Sequence, residues 1–137
     1  MLGCSPDGIV RIPGQPLKLL EVKCPFVMRE YDPNIFHQRM TRAQLSNFSL
    51  AIVEGKATMK PTHAHYYQVQ MQMDIMKIGK CDYFVWSKHG HLTVTVSYDE
   101  TFWAPKRTEL ATRHHQLLVP EYFLRRVPRG LQIYELD

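Results

Sequence analysis

Residues 17–26 read LKLLEVKCPF, and this run organises the rest of the chain. Leu17 to Lys23 is rich in strand formers, and Cys24-Pro25 ends the strand because proline has no N–H for the ladder. Upstream, Pro13-Gly14-Gln15-Pro16 is a strong turn signal, and Gly8 to Ile12 (GIVRI) is a second β-rich run. The two runs predict a hairpin. Strand alternation then sets Glu21 and Lys23 on one face and Val22 on the core face. A turn centred between Gly14 and Gln15 puts Asp7 opposite Val22. A bulge at Gly8 would shift Asp7 beside Glu21 or Lys23.

Further along, Ile35 to Leu45 predicts one irregular helix, and Phe48 to Val53 a strand that Glu54-Gly55-Lys56 turns towards Ala57 to Met59. A helix opens near Thr62 and runs to about Ile78, with Gly79 as its stop. Tyr66, Val69, Met73 and Met76 form one apolar stripe on it, Tyr67 and Met71 a second, so the helix reads as buried. Gln68 and Gln72, four apart, share its polar face. An amide on a buried helix needs a polar target, which makes Gln68 a site candidate; Gln70 and Gln72 read as structural. Asp82 to Lys88 and His91 to Tyr98 form a hairpin about His89-Gly90. A last helix starts at an Asp99 N-cap, tolerates Pro105 and breaks at Pro120; Glu121 to Arg126 adds a turn, and 127–137 reads as a loose tail. The expected class is α+β, a single domain with a mixed sheet and one buried central helix.

Composition narrows the function classes. Hydrophobic residues make up 45% of the 137, too many for a disordered chain, and no apolar run approaches a membrane span. Cys4, Cys24 and Cys81 stand apart, which argues against a disulfide framework, a zinc site and a four-cysteine cluster, and suits an intracellular compartment. The histidines form no HxxxH pair; His63 and His65 are expected to diverge on a helix. Seventeen basic against 13 acidic residues give a charge of +4, compatible with a phosphate-rich partner. Lys106, Arg107, Arg113, Arg125, Arg126 and Arg129 read as a solvated basic surface, and Trp86 and Trp103 as core.

Asp7, Glu21 and Lys23 carry the chemistry. Pro-Asp-Gly alone is a common turn, and Glu-x-Lys alone a solvated strand edge. Together across a hairpin they offer two carboxylates for a divalent cation and an ammonium for a water or a phosphate, which suits phosphodiester cleavage. The ordered set Cys4-Ser5-Pro6-Asp7-Gly8, Leu20-Glu21-Val22-Lys23-Cys24-Pro25-Phe26 and His65-Tyr66-Tyr67-Gln68-Val69-Gln70 closely resembles the lambda exonuclease and YqaJ-type viral recombinase family, within the PD-(D/E)XK nucleases. The likeness runs from Gly3 to about Pro120.

The resemblance implies a restriction-endonuclease-like core with flanking helices. It implies Asp7, Glu21 and the Val22 carbonyl as ligands of Mg²⁺ (Mn²⁺ as a substitute), Lys23 as the catalytic lysine and Gln68 as the motif glutamine. The implied activity is digestion of duplex DNA from the 5′ end, in recombination or viral-type DNA processing. The implied partners are duplex DNA, a single-strand annealing protein and further copies in a ring-shaped trimer. Family members carry a helical segment before the Ser-Pro-Asp-Gly motif; here the motif begins four residues after Met1, so the segment is expected to be missing. The alternatives are a DNA-binding or assembly module that has lost catalysis, or a structure-specific endonuclease on the same core.

Overall fold

Two hairpins and a parallel crossover build the main sheet. The computed structural model describes residues 3–133. Strands β1 (Gly8–Val10) and β2 (Lys18–Lys23) pair antiparallel; β5 (Lys80–Ser87) and β6 (Gly90–Ser97) do the same. Parallel pairing of β2 with β5 joins them in the order β1-β2-β5-β6, a mixed sheet in an α+β fold. A separate two-stranded sheet holds β3 (Leu50–Val53) and β4 (Lys56–Met59).

The helices depart from expectation at their ends. The irregular helix is two short ones, α1 (Phe36–Arg39) and α2 (Arg42–Asn47). Thr41 starts α2 with a capping box, its hydroxyl accepting from the Gln44 amide while the Gln44 side chain accepts from the Thr41 N–H. Helix α3 (Ala64–Met76) is capped by His63, whose Nδ1 accepts the His65 N–H at 3.1 Å. It ends on Lys77 in the left-handed region (φ 55°), not on Gly79; the Lys77 ammonium meets Asp74 at 3.0 Å. In the second hairpin Ser87 pairs with Gly90, so Lys88 and His89 make the turn, one residue earlier than expected.

Residues divide into two compact units, Met1–Tyr98 and Asp99–Asp137. The first has one apolar cluster. Leu19, Cys81, Tyr83, Val85, Val94 and Val96 line one face of the sheet, and Val69 and Met73 of α3 join them together with Phe36 and Phe48. The two-stripe reading of α3 is corrected here. Tyr67 and Met76 are exposed, whereas Gln70, Gln72 and Asp74 are buried. Hydrogen bonds explain the exchange: Gln70 donates to the Ser97 carbonyl at 2.9 Å, and Tyr98 donates to Asp74 at 3.2 Å. Polar groups so matched can enter a core.

In the second unit α4 (Glu100–Arg113) is capped by Asp99 and contains Pro105. It passes through a π turn at His114–Leu118 into α5 (Val119–Leu124). Pro120 does not break the pattern, because it lies in the first turn of α5 where its missing N–H costs little. Arg107 pairs with Glu100 at 2.8 Å and Arg113 with Glu109 at 3.0 Å, so part of the basic surface is neutralised within its own helix. A 3₁₀ turn follows at Val127–Arg129, and Arg126 Nε donates to the Gln132 carbonyl at 2.9 Å. Of the expected tail, 134–137 lie outside the described residues. Among the described residues no helix is long and apolar enough to cross a membrane.

Candidate functional site

Glu21 lies on the covered face of the sheet. The β2–β5 register sets Leu19 beside Cys81, Glu21 beside Tyr83 and Lys23 beside Val85, so these residues share the face that meets the apolar cluster. Glu21 is only 2% exposed, while Leu20 and Val22 lie half-buried on the other face. The expected assignment of Val22 to the core face is therefore reversed. The alternation rule held, but the rule that the charged residue faces water did not.

A buried carboxylate is tolerated when donors surround it. Glu21 Oε1 accepts from the Lys23 ammonium and from Gln68 Nε2 at 2.7 Å, and Oε2 accepts from Gln72 Nε2 at 3.0 Å. Gln68 also receives Lys23 Nζ on its own oxygen at 3.4 Å, so one amide spans the ion pair. Gln68 and Gln72, one helical turn apart on α3, fix both carboxylate oxygens. Gln72 is thus part of the centre, not merely structural. Its own Oε1 is buried without a protein partner.

Asp7 stands at the adjoining edge. The observed pairs Gly8–Leu20, Ile9–Leu19 and Val10–Lys18, extended by one residue, bring Asp7 opposite Glu21. No bulge at Gly8 is needed, because the strands end at Val10 and resume at Lys18, leaving a longer loop than the four-residue turn expected. The chain bends at Asp7, which is exposed, and its carboxylate accepts the Val22 N–H at 2.7 Å. In a strand the N–H and C=O of one residue leave towards the same neighbour. The Val22 carbonyl therefore leaves β2 on the side where the Asp7 carboxylate lies.

A second chain of polar groups borders Glu21 and was not read from the sequence. Tyr83 OH is 2.5 Å from His65 Nδ1 and 3.0 Å from Ser49 Oγ. His63 and His65 do not diverge; their rings meet edge to face at 4.5 Å. Burial, then the charges of His63 and Lys23, pull His65 down to about 4, against a smaller opposing pull from Glu21. Burial pushes the Tyr83 phenol up to about 12, with Glu21 adding to the effect and the Ser49 hydrogen bond opposing it. Both groups are neutral near pH 7, a His acceptor or donor beside a phenol. Burial also pushes the Cys81 thiol up to about 12, with the charges of Glu21 and Asp82 adding to it, so this cysteine is an apolar filler.

Comparison with protein-family models, curated proteins and solved structures finds no match. The site must be judged on its own chemistry.

A carboxylate offers about four lone-pair directions, and Glu21 uses three, which leaves it one for a metal. Among the described residues no three His, Cys, Asp or Glu side chains converge, so a cation here would draw on Glu21, Asp7, the Val22 carbonyl and water. Magnesium is commonly held in this way, by one or two carboxylates with waters and substrate phosphate oxygens.

Proposed function

We propose that the chain is a metal-dependent phosphodiesterase acting on DNA. The observation that carries this reading is the Glu21–Lys23 pair. The carboxylate of this pair is 3% exposed and its ammonium 24%, and two glutamines from another element hold the carboxylate. Desolvating the Glu21 carboxylate costs several kcal/mol, roughly, and an uncharged side chain would join β2 to α3 without that cost. A site that needs a carboxylate and an ammonium at a set distance accounts for it.

In this reading Glu21, Asp7 and the Val22 carbonyl hold Mg²⁺ or Mn²⁺. The bound cation supplies charge compensation for the phosphate and acidifies a water. Lys23 orients that water or holds a phosphate oxygen. Gln68 sets the spacing between Glu21 and Lys23, and Gln72 prevents rotation of the carboxylate. His65, neutral and linked through Tyr83 to Ser49, keeps a second positive charge away from the ammonium. The finer assignment, a 5′-to-3′ exonuclease with a restriction-endonuclease-like core, duplex DNA as substrate and a ring-shaped trimer, is supported by the likeness of the three motifs to the lambda exonuclease family.

The deciding experiment incubates the folded chain with linear and circular duplex DNA, with Mg²⁺, with Mn²⁺ and with a chelator. Cation-dependent cleavage that disappears in Glu21→Gln is the expected result. A folded protein that binds the cation and leaves both substrates intact would exclude the reading and favour a binding module. Cutting of the circular form would replace the exonuclease with an endonuclease.

A further inference from the structure

Strands β2 and β5 run parallel, so their carboxyl ends open at the same place, and ligands of open α/β sheets bind in such crevices. Just beyond the two ends lies a cavity of about 290 Å³, lined by Cys24, Phe26 and Arg29 after β2 and by Trp86 and Lys88 from the end of β5. Phe26 is 77% exposed and Trp86 48%, correcting the expectation that Trp86 belongs to the core. Two large aromatic side chains at one concave mouth differ from scattered surface apolar residues, which need no explanation. The Arg29 guanidinium sits 3.7 Å above the Phe26 ring. Glu30 lies 3.5 Å from Arg29 and 2.9 Å from Lys88, so the cavity's two cations outnumber its neighbouring acid.

We propose that this cavity receives one unpaired nucleobase of a strand bound across the carboxyl ends of β2 and β5, with Trp86 and the Arg29–Phe26 stack as its platforms. The assignment rests on the phosphodiester reading of the neighbouring centre. Aromatic faces and guanidinium planes accept any base, and the cationic groups accept the phosphate that travels with it. The cavity is near the small end of ligand pockets, roughly 300 Å³ upward, which admits a single base and not a base pair. Trp86 shares the sheet face of Asp82, opposite Glu21 and Lys23, so the cavity meets that centre only around the strand end, where Cys24 follows Lys23. Stacked, paired bases cannot enter, so the strand must be frayed or single at this point. An acidic peptide would use the cations and leave the aromatic faces idle, which makes it the weaker occupant.

Tryptophan emission of the full chain is titrated with a short single-stranded oligothymidylate, without divalent cation, and with an abasic strand carrying the same number of phosphates. Oligothymidylate should quench the emission and bind about tenfold more tightly than the abasic strand. Trp86→Phe should bind but lose most of the quenching. Trp86→Ala and Phe26→Ala should each weaken oligothymidylate about tenfold and leave the abasic strand unchanged. Equal affinity for the abasic strand, equal competition by polyglutamate, or unchanged binding by Trp86→Ala would each overturn the proposal. Adding Mg²⁺ separates the two readings. Quenching without cleavage keeps the base pocket and removes the nuclease; cleavage without quenching, insensitive to Trp86→Ala, does the opposite.

Discussion

The same two strands carry two lysine–carboxylate pairs, one on each face. On the covered face Glu21 meets Lys23 of its own strand. On the other face Asp82 of β5 meets Lys18 of β2 at 2.6 Å and Thr95 of β6 at 2.6 Å. Asp82 is nearly as buried as Glu21, at 9% exposure. The difference lies in what each pair joins. Lys18, Asp82 and Thr95 form a clip across three strands, with one donor on each carboxylate oxygen. Glu21 and Lys23 join no second strand; the amides that hold Glu21 come from α3, 47 and 51 positions away. One pair ties strands to one another; the other ties β2 to α3 through a buried charge.

The largest expected effect divides the two faces. Glu21→Gln and Lys23→Ala should each lower DNA cleavage at least about a hundredfold, the scale of losing a group aimed at the reacting charge. Asp82→Asn should leave turnover unchanged per folded molecule. Glu21→Gln should also weaken cation binding, which Lys23→Ala should not. Equal losses from Asp82→Asn and Glu21→Gln, measured as turnover on linear duplex, would erase the distinction.

Stability should follow burial on both faces. Glu21→Ala leaves two amides without their acceptor, so urea unfolding should show a loss of about 1–3 kcal/mol for each. A solvent-facing Glu21 would have predicted almost none. Asp82→Asn keeps the shape and loses charge-assisted bonds, a cost of about 1.5–3 kcal/mol.

The hydrogen-bonded histidine sharpens the contrast through pH. His65 stands near 4 in the folded chain against an ordinary 6.5. Between those values the unfolded chain binds the extra proton, so stability is complete above about pH 6.5 and declines as the pH falls towards 4. His65→Gln should flatten that part of the stability profile, whereas Asp82→Asn should not. An unchanged slope in His65→Gln would show that the ring is more hydrated than its contacts imply. The smallest effect is expected at Gln72→Leu. It loses one bond to Glu21 and removes a buried carbonyl with no protein partner, so unfolding free energy should change by less than about 1 kcal/mol.

Much of this arrangement was legible along the chain. The hairpin of β1 and β2, the long helix and the β5–β6 hairpin follow from strand formers, turn residues and periodicity, while the choice of Glu21, Lys23 and Gln68 leans on the resemblance of three motifs to a nuclease family. The face that Glu21 occupies did not, because alternation gives two faces and only tertiary packing says which one is covered. The helix expected to open near Thr62 starts at Ala64, capped by the His63 imidazole that accepts an amide, a partner that propensity does not rank. Gln72 shares the polar face of Gln68 but reads as structural from the sequence, and Tyr83 and Ser49 gave no local signal. They meet the site only because β5 docks beside β2 and the chain before β3 packs behind both, and a residue's own neighbours in sequence carry no trace of that.

The parallel joint between β2 and β5 also fixes when the centre can exist. Each hairpin closes a short loop and can form early, and Glu21 and Lys23 are adjacent in any extended strand. The amides arrive only after the crossover through α3 has closed, and long loops close late because their entropy must be overcome before contacts reward it. Folding mutants should show this as φ-values near zero at Gln68 and Gln72 and higher values in the β5–β6 hairpin; high values at the glutamines would reverse the order. A chain still emerging from the ribosome would then carry Glu21 and Lys23 without their amides, and assemble the cluster only as its last long-range contacts form.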